Sequence, residues 1–316
     1  MNHSRTIGID LGGTNCRAAL VDTGGGIGRQ AQMPTAMTDG LEEFLKRLST
    51  LCQDLRSASG EKTIEAVGIG TPGLIARDGT VNVSPNLPAL NGVCFARRVS
   101  EALELPVSVV NDANAIAWGE FVAGAGQPFA SSLTLTLGTG VGGGLILDGA
   151  LWEGPDGSAG EAGHIMVDPD GPLCGCGSRG CLEQYASARG IVKTALRLLD
   201  SGRHSTLASA PETLSARLIA AAAAQGDALA RDAFAEAGRR LGQALAGVVN
   251  LLNLDGVVIA GGASASFDLL APALHGEFAR RAFSIAVERC RIVPRSLGDR
   301  AGMIGAARLA FDRQTR

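Results

Sequence analysis

A histidine and three cysteines, His164, Cys174, Cys176 and Cys181, gather in one short glycine-dense stretch of the chain. Three thiolates and an imidazole complete a tetrahedral ligand set for Zn2+ with no open position, so the metal they imply is structural rather than catalytic. The intervening glycines let the backbone turn tightly enough to bring the sulfurs together. Disulfides are the alternative, and an odd trio in a chain read as cytosolic argues against them. The other four cysteines, Cys16, Cys52, Cys94 and Cys290, stand singly among apolar neighbours and read as small buried hydrophobes. Two carboxylates flank the cluster, Glu161 before His164 and Glu183 after Cys181. A metal-fixed loop would present both rigidly, as acceptors for hydroxyl groups; without one they would be solvated surface charges.

Two further groups of residues carry chemical potential. Asp10 is followed by Gly12, Gly13 and Thr14, and a second glycine run occupies Gly138 to Gly144. Backbone N–H groups on such a turn approach phosphate oxygens closely, and a neighbouring carboxylate can hold Mg2+ directly or through water. An ordinary tight hairpin also uses glycine for positive φ, so one copy alone is a weak signal. Two copies facing each other would clamp a single nucleotide, with Gly261 and Gly262 approaching the nucleoside. Asn111 and Asp112 lie where a strand gives way to a helix. Asp112 suits the N-cap position, and it equally suits a general base that takes the proton of an attacking hydroxyl. Phosphoryl transfer needs little more than positioning, charge neutralisation and such a base.

The elements that must position these groups follow from periodicity. Thr6–Leu11 reads as a buried strand, Asn15–Val21 as a second and Ile27–Gln32 as a third, joined by the Gly-rich turn at 22–26. The first glycines thus open a hairpin and not a helix, which excludes a Rossmann fingerprint or a P-loop. Leu41, Phe44, Leu45, Leu48, Leu51 and Leu55 recur at helical spacing. Strands are expected at Ala66–Gly70 and Val107–Val110, with a loop-rich stretch over 76–92 between them. Ser131–Leu137, the second glycine run and Leu145–Asp148 repeat the opening plan, which implies two lobes of like design. Long Ala-rich helices follow from Arg189 to about Asn253, then a strand at Gly256–Ala260 and a closing helix from Gly302 to Phe311.

A chain of 316 residues exceeds the usual single compact core. Hydrophobic residues at 46% against charged residues at 19% suit a buried globular interior and exclude disorder. The net charge of −3 offers no electrostatic footprint for nucleic acid. Neither the opening residues nor any apolar run has the length of a leader or a membrane span, so a cytoplasmic protein with no membrane partner is expected.

Taken in order, Asp10-Leu-Gly-Gly-Thr14, Thr71-Pro-Gly73, Asn111-Asp-Ala-Asn114, Leu137-Gly-Thr-Gly-Val-Gly-Gly-Gly144, Ala159-Gly-Glu-Ala-Gly-His164 and Cys174-Gly-Cys-Gly-Ser-Arg-Gly-Cys-Leu-Glu183 resemble the successive signatures of the ROK family of repressors, open reading frames and kinases. The resemblance runs from Ile7 to about Gly305. It implies an α/β fold of the two-lobed actin-like ATPase type, with ribonuclease-H-like lobes and an active site in the cleft between them. Residues 1–118 would form the smaller lobe, with a C-terminal helix of about 302–316 returning to it, and 119–301 the larger lobe with the zinc loop. By the same resemblance Asp112 is the base for a sugar 6-hydroxyl, and Asn111 grips a neighbouring hydroxyl. Asn86, Glu161, His164 and Glu183 also contact the sugar, His164 using one ring nitrogen on zinc and the other toward substrate. Asp10, Gly12, Gly13, Thr14, Asn15, Gly138, Thr139, Gly140, Gly261 and Gly262 line the site of ATP and Mg2+. A homodimeric hexose kinase is implied, glucose leading over N-acetylglucosamine, N-acetylmannosamine, mannose, allose and fructose. A non-catalytic sugar sensor or repressor is the different-class alternative. Two departures stand out: Leu90 occupies a position where the family usually carries Trp, and Asn253-Leu254 replaces the usual Asn-Pro.

Overall fold

The computed structural model describes residues 5–60 and 63–314. Residues 1–4, on which the absence of a leader was argued, and 315–316, assigned to the closing helix, lie outside the described residues. The described chain runs β1 (Arg5–Leu11), β2 (Asn15–Asp22), β3 (Ile27–Pro34), α1 (Leu41–Ser57), β4 (Ile64–Thr71), β5 (Leu74–Ile75), β6 (Thr80–Val83), β7 (Val93–Cys94), α2 (Phe95–Leu103), β8 (Val107–Asn111) and α3 (Asp112–Ala123). It continues with β9 (Ser132–Leu137), β10 (Val141–Leu147), β11 (Ala150–Trp152), α4 (Glu183–Ala186), α5 (Ala188–Asp200), α6 (Ala216–Ala224), α7 (Ala228–Leu252), β12 (Gly256–Ala260), α8 (Phe267–Arg281), α9 (Ser284–Arg289), β13 (Arg291–Pro294) and α10 (Ala301–Gln314). None of the described helices is long and apolar enough to cross a membrane.

The chain divides into two compact units. The first comprises Met1–Ala130, Gly144–Gly160 and Ser296–Arg316, the second Ser131–Gly143 and Glu161–Arg295. In the first unit a five-stranded sheet has the order β3-β2-β1-β4-β8, antiparallel across β1–β3 and parallel from β1 to β8. Side chains alternate along a strand, so Ile7, Ile9 and Leu11 of β1 point to one face, where they meet Phe44 and Leu48 of α1 and Phe95 of α2. Gly8 and Asp10 point to the other, which α10 covers. A Cβ on Gly8 would lie 1.9 Å from the Met303 carbonyl oxygen, and one on Gly68 of β4 would lie 1.8 Å from that of Ala306. Helix α10 therefore rests on the sheet backbone itself. It crosses α3 equally closely, with Gly305 against the Ala115 carbonyl and Gly119 against that of Ala301.

Buried Glu120 finishes α3. Its carboxylate accepts from the N–H groups of Ala125, Ser296 and Leu297 and from the Ser296 hydroxyl, tying the end of α3 to the segment that leads into α10. Such a count of donors is what a fully buried carboxylate needs.

The second unit is built on parallel β9, β12 and β13, which belong to the sheet β11-β10-β9-β12-β13. Helix α7 packs along α8 at short range: Cβ atoms on Gly238 and Gly242 would each come 2.4 Å from a carbonyl oxygen of α8, those of Leu270 and Leu274. Glycines four apart share one helix face, which sets that close approach.

Three local expectations need correction. Asn111, not Asp112, is the N-cap of α3, its side chain accepting from Ala113 and Asn114 N–H. The second glycine run is only half a turn, since Gly142, Gly143 and Gly144 lie inside β10. At Gly144 the reason is contact: a Cβ there would fall 2.4 Å from that of Ala117 and 2.9 Å from the Ala113 carbonyl. The stretch 76–92, expected as loop, holds β6, the middle strand of a small sheet whose other strands, β5 and β7, flank it. The helices expected from Arg189 to about Asn253 are α5, α6 and α7.

Candidate active site and metal centre

In the first unit the chain leaves β1 and turns at once into β2. Gly12 N–H donates to the Asn15 carbonyl (2.9 Å), closing a turn that exposes Gly13, Thr14 and Asn15. Fully buried Thr35 locks it from beneath, its hydroxyl donating to the Gly12 carbonyl (2.7 Å) and its N–H to that of Thr14 (2.9 Å). Exposed Asn86 stands against Gly13, and a hollow of about 370 Å3 opens beside the pair, with Met37, Leu87 and Pro88 in its wall. Leu90, the departure from the family pattern, is fully buried in the core with Leu87 and Phe95.

Asp10 lies near the end of β1, and its carboxyl is pushed up from 3.8 to about 6. Burial is the main cause; repulsion by Asp112 and Asp299 adds to it, and Arg17 opposes it. Asp112 occupies the first turn of α3, where its carboxylate accepts the Ala113 N–H (2.9 Å). A helix N-terminus favours an anion there. Asn111 donates from its amide to the Gly73 carbonyl (2.9 Å) while capping the helix, which leaves one amide N–H for a ligand. Buried Thr71 and Asn114 each keep a side-chain oxygen without a hydrogen-bond partner among the described residues.

In the second unit the ligand atoms of His164, Cys174, Cys176 and Cys181 all lie within 4.8 Å of one another. His164 Nδ1 is 3.6 Å from Cys174 Sγ, and the sulfurs of Cys176 and Cys181 are 3.7 Å apart. The latter separation is too long for a disulfide, whose bond is about 2 Å. Both match the edge of a tetrahedron with bonds of about 2.3 Å, so the residues fit zinc. His164 Nε2 faces Glu161 at 3.8 Å. Burial raises the Glu161 carboxyl, His164 lowers it, and nearby Glu183 raises it further.

Glu183 reaches back to the second glycine turn and accepts the Val141 N–H (3.0 Å); a Cβ on Gly140 would fall 2.3 Å from that carboxylate. The turn itself is closed by Gly138 N–H donating to the Gly140 carbonyl, and the Gly138 carbonyl accepts from Ala188. Gly261, with φ of 81°, sits over Leu137 at the end of β9, where any Cβ would lie 2.5 Å from backbone atoms. Gly138, Thr139, Gly140, Gly261 and Gly262 thus gather at one end of β9 and β12. The sequence reading missed Thr35 and the polar contacts of Tyr185 and Arg240 behind the cysteine loop. A lone Thr or a helical Arg carries no motif, and only the folded contacts reveal them.

The structural relatives place this architecture. A crystal structure of a ROK family glucokinase from Streptomyces griseus in complex with glucose and AMPPNP is 36% identical, covers 98% of this chain and 99% of that chain, and superposes with a TM-score of 0.80. The fold is the α/β two-lobed actin-like ATPase. The ROK family model matches residues 6–313, and the chain belongs to that family. Its relatives include a glucokinase from Thermotoga maritima, 36% identical over 98% of both chains. An N-acetylmannosamine kinase from Escherichia coli is 34% identical over 81% of this chain and 82% of the relative.

Proposed function

We propose that the protein is an ATP-dependent hexose kinase acting at the 6-hydroxyl, with glucose as its substrate. The observation that carries the reading is the pair of carboxylates in the first unit. Asp112 sits in the first turn of α3, its carboxylate placed to accept a proton. Asp10 is pushed up by burial and by Asp112, a strain that a divalent cation relieves. The sugar oxygen attacks the γ-phosphorus, the bond to the ADP oxygen breaks, and the hydroxyl proton passes to Asp112. Asp10 would hold Mg2+, which would neutralise phosphate charge.

Within the first unit, Gly12, Gly13, Thr14 and Asn15 serve the nucleotide, while Asn86 and Asn111 serve the sugar. Within the second, Gly138, Thr139, Gly140, Gly261 and Gly262 serve the nucleotide, while Glu161, His164 and Glu183 accept and orient sugar hydroxyls. Zinc on His164, Cys174, Cys176 and Cys181 would be a structural clip, with His164 Nε2 left toward the substrate side. The 36% identity to glucokinases favours glucose, and the 34% relative makes N-acetylmannosamine the second reading.

The test is ADP production from Mg-ATP across hexoses and N-acetylhexosamines, ranked by kcat/KM, because that ratio reports discrimination in the transition state. Glucose should rank first. Top rank for an N-acetylhexosamine would replace the substrate, and binding without turnover for every sugar would replace the kinase with a sensor.

A further inference from the structure

The metal loop is held from behind by a polar clamp centred on one arginine of α7. Arg240 donates to the Val167 carbonyl (2.8 Å) and to Asp168 Oδ2 (3.0 Å), and its Nε is engaged by Glu236 (2.9 Å). Its guanidinium also lies over the Tyr185 ring, 4.7 Å from the centroid, while the Tyr185 hydroxyl donates to the same Asp168 oxygen (2.7 Å). Gln243, one turn along α7, donates to the Val167 carbonyl as well (2.9 Å).

The clamped residues lie close along the chain to one metal ligand and are hydrogen-bonded to the residue beside another. Val167 and Asp168 follow His164, and their N–H groups both donate to the carbonyl of Gly180, the residue before Cys181. The fit admits no side chain at Gly180, where a Cβ would lie 1.6 Å from the Asp168 carbonyl oxygen. Met166 and Cys181 form a bridge, and Leu182 donates to the Ile165 carbonyl. Cys174 and Cys176 belong to a separate small hairpin, closed by Cys174 N–H to the Ser178 carbonyl and by the Leu173–Arg179 bridge.

We propose that Arg240 is a positioning residue that presets the His164 and Cys181 arms, together with Glu183, from α7, so that the metal has only the Cys174–Cys176 hairpin left to pin. The kinetic part of this inference rests on the kinase reading; the metal part does not. Outer partners of metal ligands commonly govern affinity and activity by about 10- to 100-fold.

The experiment compares zinc-loaded Arg240→Met, Arg240→Lys and Tyr185→Phe with the unmutated protein. Zinc release to a chromophoric chelator is followed, along with KM and kcat for the preferred sugar. Arg240→Met should release zinc about tenfold faster or more and raise the sugar KM by a similar factor, with kcat changed far less. Lysine cannot fork between Val167 and Asp168, so Arg240→Lys should behave like the methionine variant. Tyr185→Phe keeps the packing, and should speed release by a few-fold even if the arginine variants fail to fold. Unchanged release and unchanged KM in folded variants, or a lower Tm alone, would overturn the clamp, as would full rescue by lysine. A protein that takes up no zinc would overturn it too. Absence of turnover in the unmutated protein removes the kinase reading alone, since chelator release still decides the clamp.

Discussion

Replacing Asp10 by Asn should make the ligand-free protein more stable while abolishing its use of Mg-ATP. The carboxyl stands at about 6 in the folded chain against 3.8 when unperturbed. A native pKa above the unfolded one means that the folded state binds the proton more tightly. The stability this supplies is complete below 3.8 and is lost as pH rises through about 6. Near neutrality the folded protein therefore bears the full difference of some two pKa units, or about 3 kcal/mol. Asparagine has the same shape without the charge, and removes that strain. Urea unfolding should show the variant more stable by about 3 kcal/mol near pH 7.5, by about 1.5 near pH 5 and by about 0.5 near pH 4. The convergence with falling pH is the diagnostic part, since a packing effect of the substitution would not titrate. A variant no more stable than its parent near pH 7.5, or a difference flat across that range, would refute the placing of Asp10 in a buried, like-charged setting.

The remaining predictions test other parts of the site. Asp112→Asn should lower kcat by about 100-fold or more while leaving sugar binding within a few-fold, as expected for loss of a general base; near-normal turnover would remove that role. Cys176→Ser should release zinc, and limited proteolysis should then cut first in the hairpin around Cys174 and Arg179. Metal analysis finding no zinc in the unmutated protein would sink that account. Gly68→Ala should be among the most destabilising single substitutions, by about 3 kcal/mol or more, because the added methyl meets the backbone of α10. A urea midpoint within error of the parent would show that α10 does not seat so closely.

Where one principle governed, the sequence was readable. Short apolar runs broken by glycine turns gave β1 and β2, helical spacing gave α1, and the cysteine spacing announced a ligand set whose four side chains the fold gathers. The errors arose where local chemistry was ambiguous. Asn111 and Asp112 are both competent caps, and the register of the helix against β8, a tertiary property, decides between them. Glycine was read as turn-forming throughout, yet Gly144 sits within a strand because a helix backbone needs the room. Strands as short as β5 and β7 have no periodicity to detect. The Arg240 clamp joins positions about seventy residues apart, with nothing local to mark either end.

The seating of α10 on Gly8 and Gly68 has a bearing on the order in which the polypeptide is made. The centre of the first sheet is synthesised well before α10, and the part of its face at Gly8 and Gly68 stays uncovered until α10 leaves the ribosome. Chains fold as they emerge, and contacts between distant segments form late. The second unit, complete by Arg295, has everything it needs beforehand. The amino-terminal half must therefore wait, partly assembled, for its carboxy-terminal cover. A nonsense codon just upstream of Ala301 would leave the first unit without one wall of its core, not a slightly shorter protein.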